Sequence, residues 1–188
     1  MLLLVVFFVM LIAYSAIDKD RFLQMKDMAS MVPAVSSPLP DMNQVMQSLQ
    51  QLGVHGTMNN GFSVVRTQDG FKAVIPNPVL FASGDASLGK EVYPILDSII
   101  DIAEREHLSI QVEGHTDNIP IHTAKFPSNW ELSTMRAVNI LRYLLQNGIP
   151  PGRLSAIGFA EYRPAADIDT PEGRQKNRRI EILFRSVK

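Results

Sequence analysis

Leu108–Asp117 reads LSIQVEGHTD. Leu108, Ile110 and Val112 alternate with Ser109 and Gln111, and that two-residue period predicts a half-buried β-strand. The strand runs out at Gly114-His115-Thr116-Asp117, polar residues at a strand end, where sites often form. Upstream, Lys90–Glu106 places Val92, Ile95, Leu96, Ile99, Ile102 and Ala103 at helical spacing. Downstream, Ser128-Asn-Trp-Glu131 is a capping box, with Ser128 as cap and Glu131 three residues on. The helix it opens buries Ala137, Ile140, Leu141 and Leu144 and stops at Gly148. Leu154–Phe159 is a further strand candidate, and Arg179–Arg185 alternates again through Ile180, Ile182 and Phe184. Before the first helix, Phe62–Thr67 and Phe71–Ile75 flank Gln68-Asp69-Gly70, which reads as a hairpin turn. Val79-Leu80-Phe81 reads as a brief extended segment. The order β-β-α-β-α-(β)-β predicts an α+β sandwich, with helices on one face of a mixed sheet.

Composition narrows the function. The chain has 188 residues, 46% of them hydrophobic and 20% charged, with net charge -1. That argues against a disordered acidic chain and, with a pI near 6.4, against a basic nucleic-acid binder. There are no cysteines, which excludes disulfides, Cys-ligated zinc, a thiol nucleophile and a lipidated N-terminal cysteine.

Charge is unevenly spread. Met1–Ile17, MLLLVVFFVMLIAYSAI, carries none, and Asp18-Lys19-Asp20-Arg21 follows at once. A bilayer core takes roughly 20 apolar residues, with a lower limit near 17. A buried globular helix is the bland reading, but the run has no polar face, and a surface helix needs one. A signal peptide would need a positive region before its apolar core, despite the small residues Ala13 and Ser15. A membrane anchor is the preferred reading, incomplete at its N-terminus. Phe22, Met25, Met28, Ala29 and Val32 then follow helical spacing until Pro33, Pro38 and Pro40 break it. Asp41–Leu52 reads as a short helix. The expected organisation is a transmembrane helix over 1–17, an amphipathic helix and linker over 18–60, and a folded domain over 61–188.

Three clusters could carry chemistry. His115, Asp117 and His122 would be the metal candidates, but their spacing fits no standard ligand motif. No Gly-x-Ser-x-Gly elbow accompanies His115 and Asp117 for hydrolysis. The bland reading of this stretch is a turn in which Thr116 and Asp117 bond local backbone amides. The second cluster is Asn129, Leu132, Arg136 and Ala137. Consecutive elements are usually neighbours, so Asp117 and Arg136 could face one pocket and hold a zwitterion, carboxylate to ammonium and guanidinium to carboxylate. A structural Asp–Arg salt bridge is the alternative. The third is Gly173–Arg179, GRQKNRR, by default a solvated basic loop.

Together VEGHTD (Val112–Asp117), NWELSTMRA (Asn129–Ala137), NGIPPGRL (Asn147–Leu154), Gly158-Phe159 and GRQKNRRIEI (Gly173–Ile182) resemble the OmpA-like peptidoglycan-binding domain, over about Phe71 to Arg185. Within that superfamily PSNWELS (Pro127–Ser133) and LLLVVFFV (Leu2–Val9), running into Tyr14–Asp18, are similar to the flagellar stator B-subunit branch. The resemblance implies a wall anchor without enzymatic activity or cofactor. Asp117 and Arg136 would contact diaminopimelate of the peptide stem. Asn129 and Leu132 would shape that pocket, with Thr116 of the same motif beside them and Arg179 nearby. Phe22, Met25 and Met28 would belong to a plug helix. The implied partners are peptidoglycan, a four-span stator A subunit, a second copy of the chain and the bacterial inner membrane, with the C-terminal domain in the periplasm. The branch carries an ion-binding aspartate a few residues before its Leu-Leu-Leu run, whereas this sequence begins inside the run. The expectation is therefore an N-terminally truncated stator subunit or a B-like anchor that does not conduct.

Overall fold

A computed structural model describes residues 62–186. The proposed anchor, plug (Phe22, Met25, Met28) and linker lie outside the described residues. Among the described residues no helix is long and apolar enough to cross a membrane.

Five strands form one mixed sheet: β1 (Ser63–Thr67), β2 (Gly70–Pro76), β3 (Leu108–Gly114), β4 (Leu154–Gly158) and β5 (Arg179–Ser186). Their spatial order is β1-β2-β5-β3-β4. β3 and β4 run parallel, and every other neighbouring pair is antiparallel. The last strand thus fills the centre. The predicted hairpin forms, and Phe71 faces Phe184 across β2 and β5 with ring centroids 4.4 Å apart. Such stacked cross-strand pairs stabilise a sheet beyond their buried area.

Alternation decides which side chains enter the core. Ala73, Ile75, Leu108, Ile110, Val112, Ile180 and Ile182 are all buried with the helices. Two long helices pack on β3: α2 (Tyr93–Arg105) and α3 (Asn129–Gln146). α2 buries Ile95, Leu96, Ile99, Ile102 and Ala103 as its spacing predicted. Each of these isoleucines and the leucine contributes about 1.5–3 kcal/mol relative to exposure. Its start is shifted from the sequence expectation. Lys90–Val92 is a turn of 3-10 helix, and the α-helix begins at Tyr93 with Pro94 in its first turn, where a missing N–H costs nothing.

Two segments depart from expectation. Asn77–Leu80 is a short helix, α1, rather than an extended segment. Pro78 suits a first helical turn, and four residues are too few to show a helical period. Gly173–Arg179 is not a solvated loop. Pro171–Asn177 forms helix α4, whose cap Thr170 accepts from Gly173 N. Gly173 and Asn177 are buried, and Asn177 Oδ1 accepts from Ala165 N and Ala166 N.

Gly114 and Gly158 end β3 and β4 opposite one another. A Cβ at Gly114 would land on the Ser133 carbonyl oxygen, and one at Gly158 on Thr134 Oγ1. α3 therefore crosses directly over the ends of the parallel pair. That close approach brings the first turns of α3 against the segment after Gly114.

Candidate functional site

The loop after β3, α1 and the loop that follows it, the first turns of α3 and Arg178 just before β5 surround a cleft of about 670 Å³. Thr116, Asp117, Asn129, Leu132 and Arg136 all line it. Five of the six expected binding residues are thus brought together. Phe81 and Arg178, neither singled out from the sequence as a pocket residue, complete the polar and aromatic walls.

Asp117 is held from both sides. Its Oδ1 accepts from Ile119 N at 3.2 Å, which is the local turn bond expected of this residue type. Its Oδ2 pairs with Arg178 at 2.6 Å. Asn129 Nδ2 donates to the carbonyls of Asp117 and Ile119, so α3 fixes the loop that carries the carboxylate. Thr116 N donates to Ala160 O, and Thr116 Oγ1 to Asp117 O. The Asx turn and the pocket therefore coexist: one carboxylate oxygen shapes the loop and the other faces a cation.

Arg136 is buried at 5% exposure. Its Nε donates to Asp85 O at 2.8 Å, and its guanidinium sits 5.1 Å above the Phe81 ring. Among the described residues no side chain bonds its two terminal nitrogens, which leaves that edge for a ligand. Burial lowers its pKa to about 10, against the opposing pull of Asp85 and Asp117, so it is still cationic at neutral pH. Asp117 and Arg136 form no direct salt bridge; the carboxylate's partner is Arg178. Asp85, on the loop before α2, is held to about 2 by hydrogen bonds from Lys125 and Ala86 N. Ser128 caps α3 by accepting from Trp130 N, as the sequence predicted.

Arg179 does not line the cleft. Strand alternation turns it to the other face of the sheet, where Nε donates to Glu181 at 2.7 Å and the terminal nitrogens reach Asn177 O and Arg163 O. Its neighbour Arg178 takes the place beside Asp117. The basic run signalled this region, but only the register at the start of β5 tells which arginine points where.

The metal alternative built on His115, Asp117 and His122 is not assembled. His115 is buried with its ring stacked on Phe159, Asp117 faces the cleft, and His122 Nδ1 contacts Pro127 O on an exposed loop. His115 instead lies near Glu113 and Glu181. Both oxygens of Glu181 are already taken, by Lys72 and Arg179, and those two cations oppose a third positive charge. Burial on its own raises the Glu181 pKa, but hydrogen bonds from Lys72 and Arg179 outweigh it and leave the pKa lowered.

A mixed sheet with two helices on one face, and a carboxylate–guanidinium cleft at its strand ends, has the form of a small-ligand binding module. The chain belongs to the OmpA family, whose model matches residues 80–178. It is 41% identical over 120 residues to motility protein B of Bacillus subtilis, a match covering 63% of this chain but only 46% of that protein. It is 32% identical over 205 residues to the uncharacterized protein YtxE of the same organism, covering 99% of this chain and 85% of that one. Among solved structures, a MotB-like protein from Desulfovibrio vulgaris superposes with TM-score 0.70 at 30% identity, over 78% of this chain and 94% of that chain. The cell wall anchor of the T6SS from Pseudomonas aeruginosa gives 0.66 at 33% identity, over 74% and 97%.

Proposed function

We propose that the chain binds peptidoglycan through the cleft and holds a membrane-embedded stator of the flagellar motor to the wall. The observation that carries the first part is the placement of Asp117 and Arg136 on one cleft without a bond between them. A zwitterion such as the free end of diaminopimelate offers an ammonium to Asp117 and a carboxylate to the open edge of Arg136. Bidentate pairing of a guanidinium with a carboxylate adds geometric selection to charge. Arg178 has a part in the exchange. An incoming ammonium competes with it for Asp117 Oδ2, and the displaced guanidinium is then beside the carboxylate that the same ligand brings. Leu132 and Phe81 supply the apolar walls that exclude water and strengthen both contacts. The similarity to a cell wall anchor supports this reading.

Asp117→Asn and Arg136→Lys keep size and hydrogen-bonding capacity while removing the charge or the fork. Each is expected to weaken retention of the full chain on purified wall sacculi by about ten- to a hundredfold, the worth of one charged hydrogen bond of about 1.5–3 kcal/mol. Retention equal to the parent in both variants would refute the assignment.

The motor part of the reading rests on similarity to motility protein B. It places Met1–Ile17 in the bacterial inner membrane and the 61–188 domain on the wall side. It makes 18–60 a linker that carries a plug with Phe22, Met25 and Met28. A four-span A subunit and a second copy of this chain are the partners. A second reading is favoured by the near full-length match to YtxE, set against the partial match to motility protein B: an envelope anchor that binds wall without conducting ions. Co-expression with a four-span partner in a strain lacking its B subunit separates the two. Restored swimming supports the stator, and wall binding without swimming supports the anchor.

A further inference from the structure

We propose that Trp130 and Tyr162 form a stacking platform for an amino-sugar ring of the wall glycan, beside the peptide cleft. The proposal rests on the wall-binding reading and extends it from the peptide to the sugar. The two rings stack with centroids 5.3 Å apart and 22° between planes. They nevertheless stay 46% and 66% exposed, so each keeps an outer face to solvent. Large aromatic rings left open together are uncommon on a soluble surface unless they meet a partner. A hexosamine ring is such a partner. One of its faces is a patch of C–H bonds, apolar and slightly positive, which suits the negative face of an aromatic ring. Its hydroxyl and acetamido groups remain in water at the edges.

The platform and the cleft share their supports. Ala160 N donates to Ser133 Oγ on α3, and Ala160 O accepts from Thr116 N. Tyr162 N closes a turn onto Phe159 O. The loop bearing Tyr162 is thus fixed to the same helix and the same Thr116 that bound the cleft. On α3, Asn129 faces the cleft, and Trp130 is one residue on, about 100° around the helix. At a side-chain radius of about 5–6 Å, that rotation separates the two sites by roughly 8–9 Å. Two or three extended peptide residues span roughly 7–10 Å, the reach from a sugar to a residue within its peptide stem. One muropeptide can straddle the first turn of α3, with its zwitterion in the cleft and its sugar on the rings.

Trp130 is the one tryptophan in the chain, so its fluorescence reports the platform directly. The full chain in a sugar-free detergent is titrated with the wall disaccharide, N-acetylglucosaminyl-N-acetylmuramic acid, carrying no peptide. A saturable fluorescence change is expected in the parent, and a two- to tenfold weaker one in Tyr162→Ala, the loss of one stacked ring. A diaminopimelate tripeptide without sugar, titrated in parallel by calorimetry, tests the cleft alone. If the disaccharide leaves Trp130 fluorescence unchanged, or Tyr162→Ala binds it as tightly as the parent while melting at the same temperature, the platform is overturned, whatever the tripeptide does.

Discussion

Gly114→Ala is expected to destabilise the domain by about 3 kcal/mol or more, the upper end for forcing atoms into a packed interior. The added methyl meets the backbone carbonyl of Ser133, not the tip of a side chain that could swing away. Relief requires α3 to lift from β3. That would weaken the burial of Ile140 and Leu144 beneath it and pull Asn129 from the loop carrying Asp117. The domain's melting, followed by Trp130 fluorescence, should fall by more than 10 °C on the usual scaling for a domain of this size. Gly152→Ala is the matched control, because a Cβ there meets nothing within 4 Å. If the two variants melt together, helix–sheet contact is not what requires glycine at 114.

Acid is expected to weaken the fold through His115. Burial is the main cause that lowers its pKa to about 4, with Arg179, Lys72 and Arg163 adding repulsion and Glu181 partly opposing them. Glu113 also faces it, 3.9 Å from Nε2. Among the described residues neither ring nitrogen has a hydrogen-bond partner. In the unfolded chain the same imidazole titrates near 6.5. Between those values the unfolded state binds more protons, so stability is complete above about pH 6.5 and is lost as pH falls toward 4. The loss between pH 7 and pH 5 is about 2 kcal/mol for this one group. His115→Phe preserves the stack on Phe159 and removes the titration. Its melting temperature should be nearly flat from pH 7 to 5 where the parent's declines. An equal decline in both would assign the acid sensitivity to other groups.

The sequence shows most clearly what depends on local pattern. Leu108–Val112 announces its strand by alternation, the 128–131 box announces the start of α3, and Gln68-Asp69-Gly70 announces the hairpin. Each is decided by neighbours within four residues. The cleft was legible for the same reason: Asp117 follows a strand end and Arg136 lies two turns into a helix, and consecutive elements pack together. What was hidden depends on register and on contacts distant in sequence. Arg178 and Arg179 are chemically identical, and only the pairing of Pro76 with Arg179 and Gly114 with Ile180 turns one to Asp117 and the other to Glu181. α1 and α4 were missed because four and seven residues are too short to display a period. His115 read as a loop residue because it sits beside Gly and Thr. Its burial comes from Phe159, which is brought alongside by a bond from Phe159 N to Gly114 O.

The central place of β5 also governs how the molecule is made. Gly70 pairs with Arg185 and Leu108 with Ser186, so the two halves of the sheet are joined only by β5, the last of the described strands. Until residues 179–186 have emerged, β1–β2 and β3–β4 are separate ribbons with open edges. The cleft lacks Arg178 over the same interval. The β2–β5 pairings, more than 100 residues apart, also make assembly slow relative to local folding.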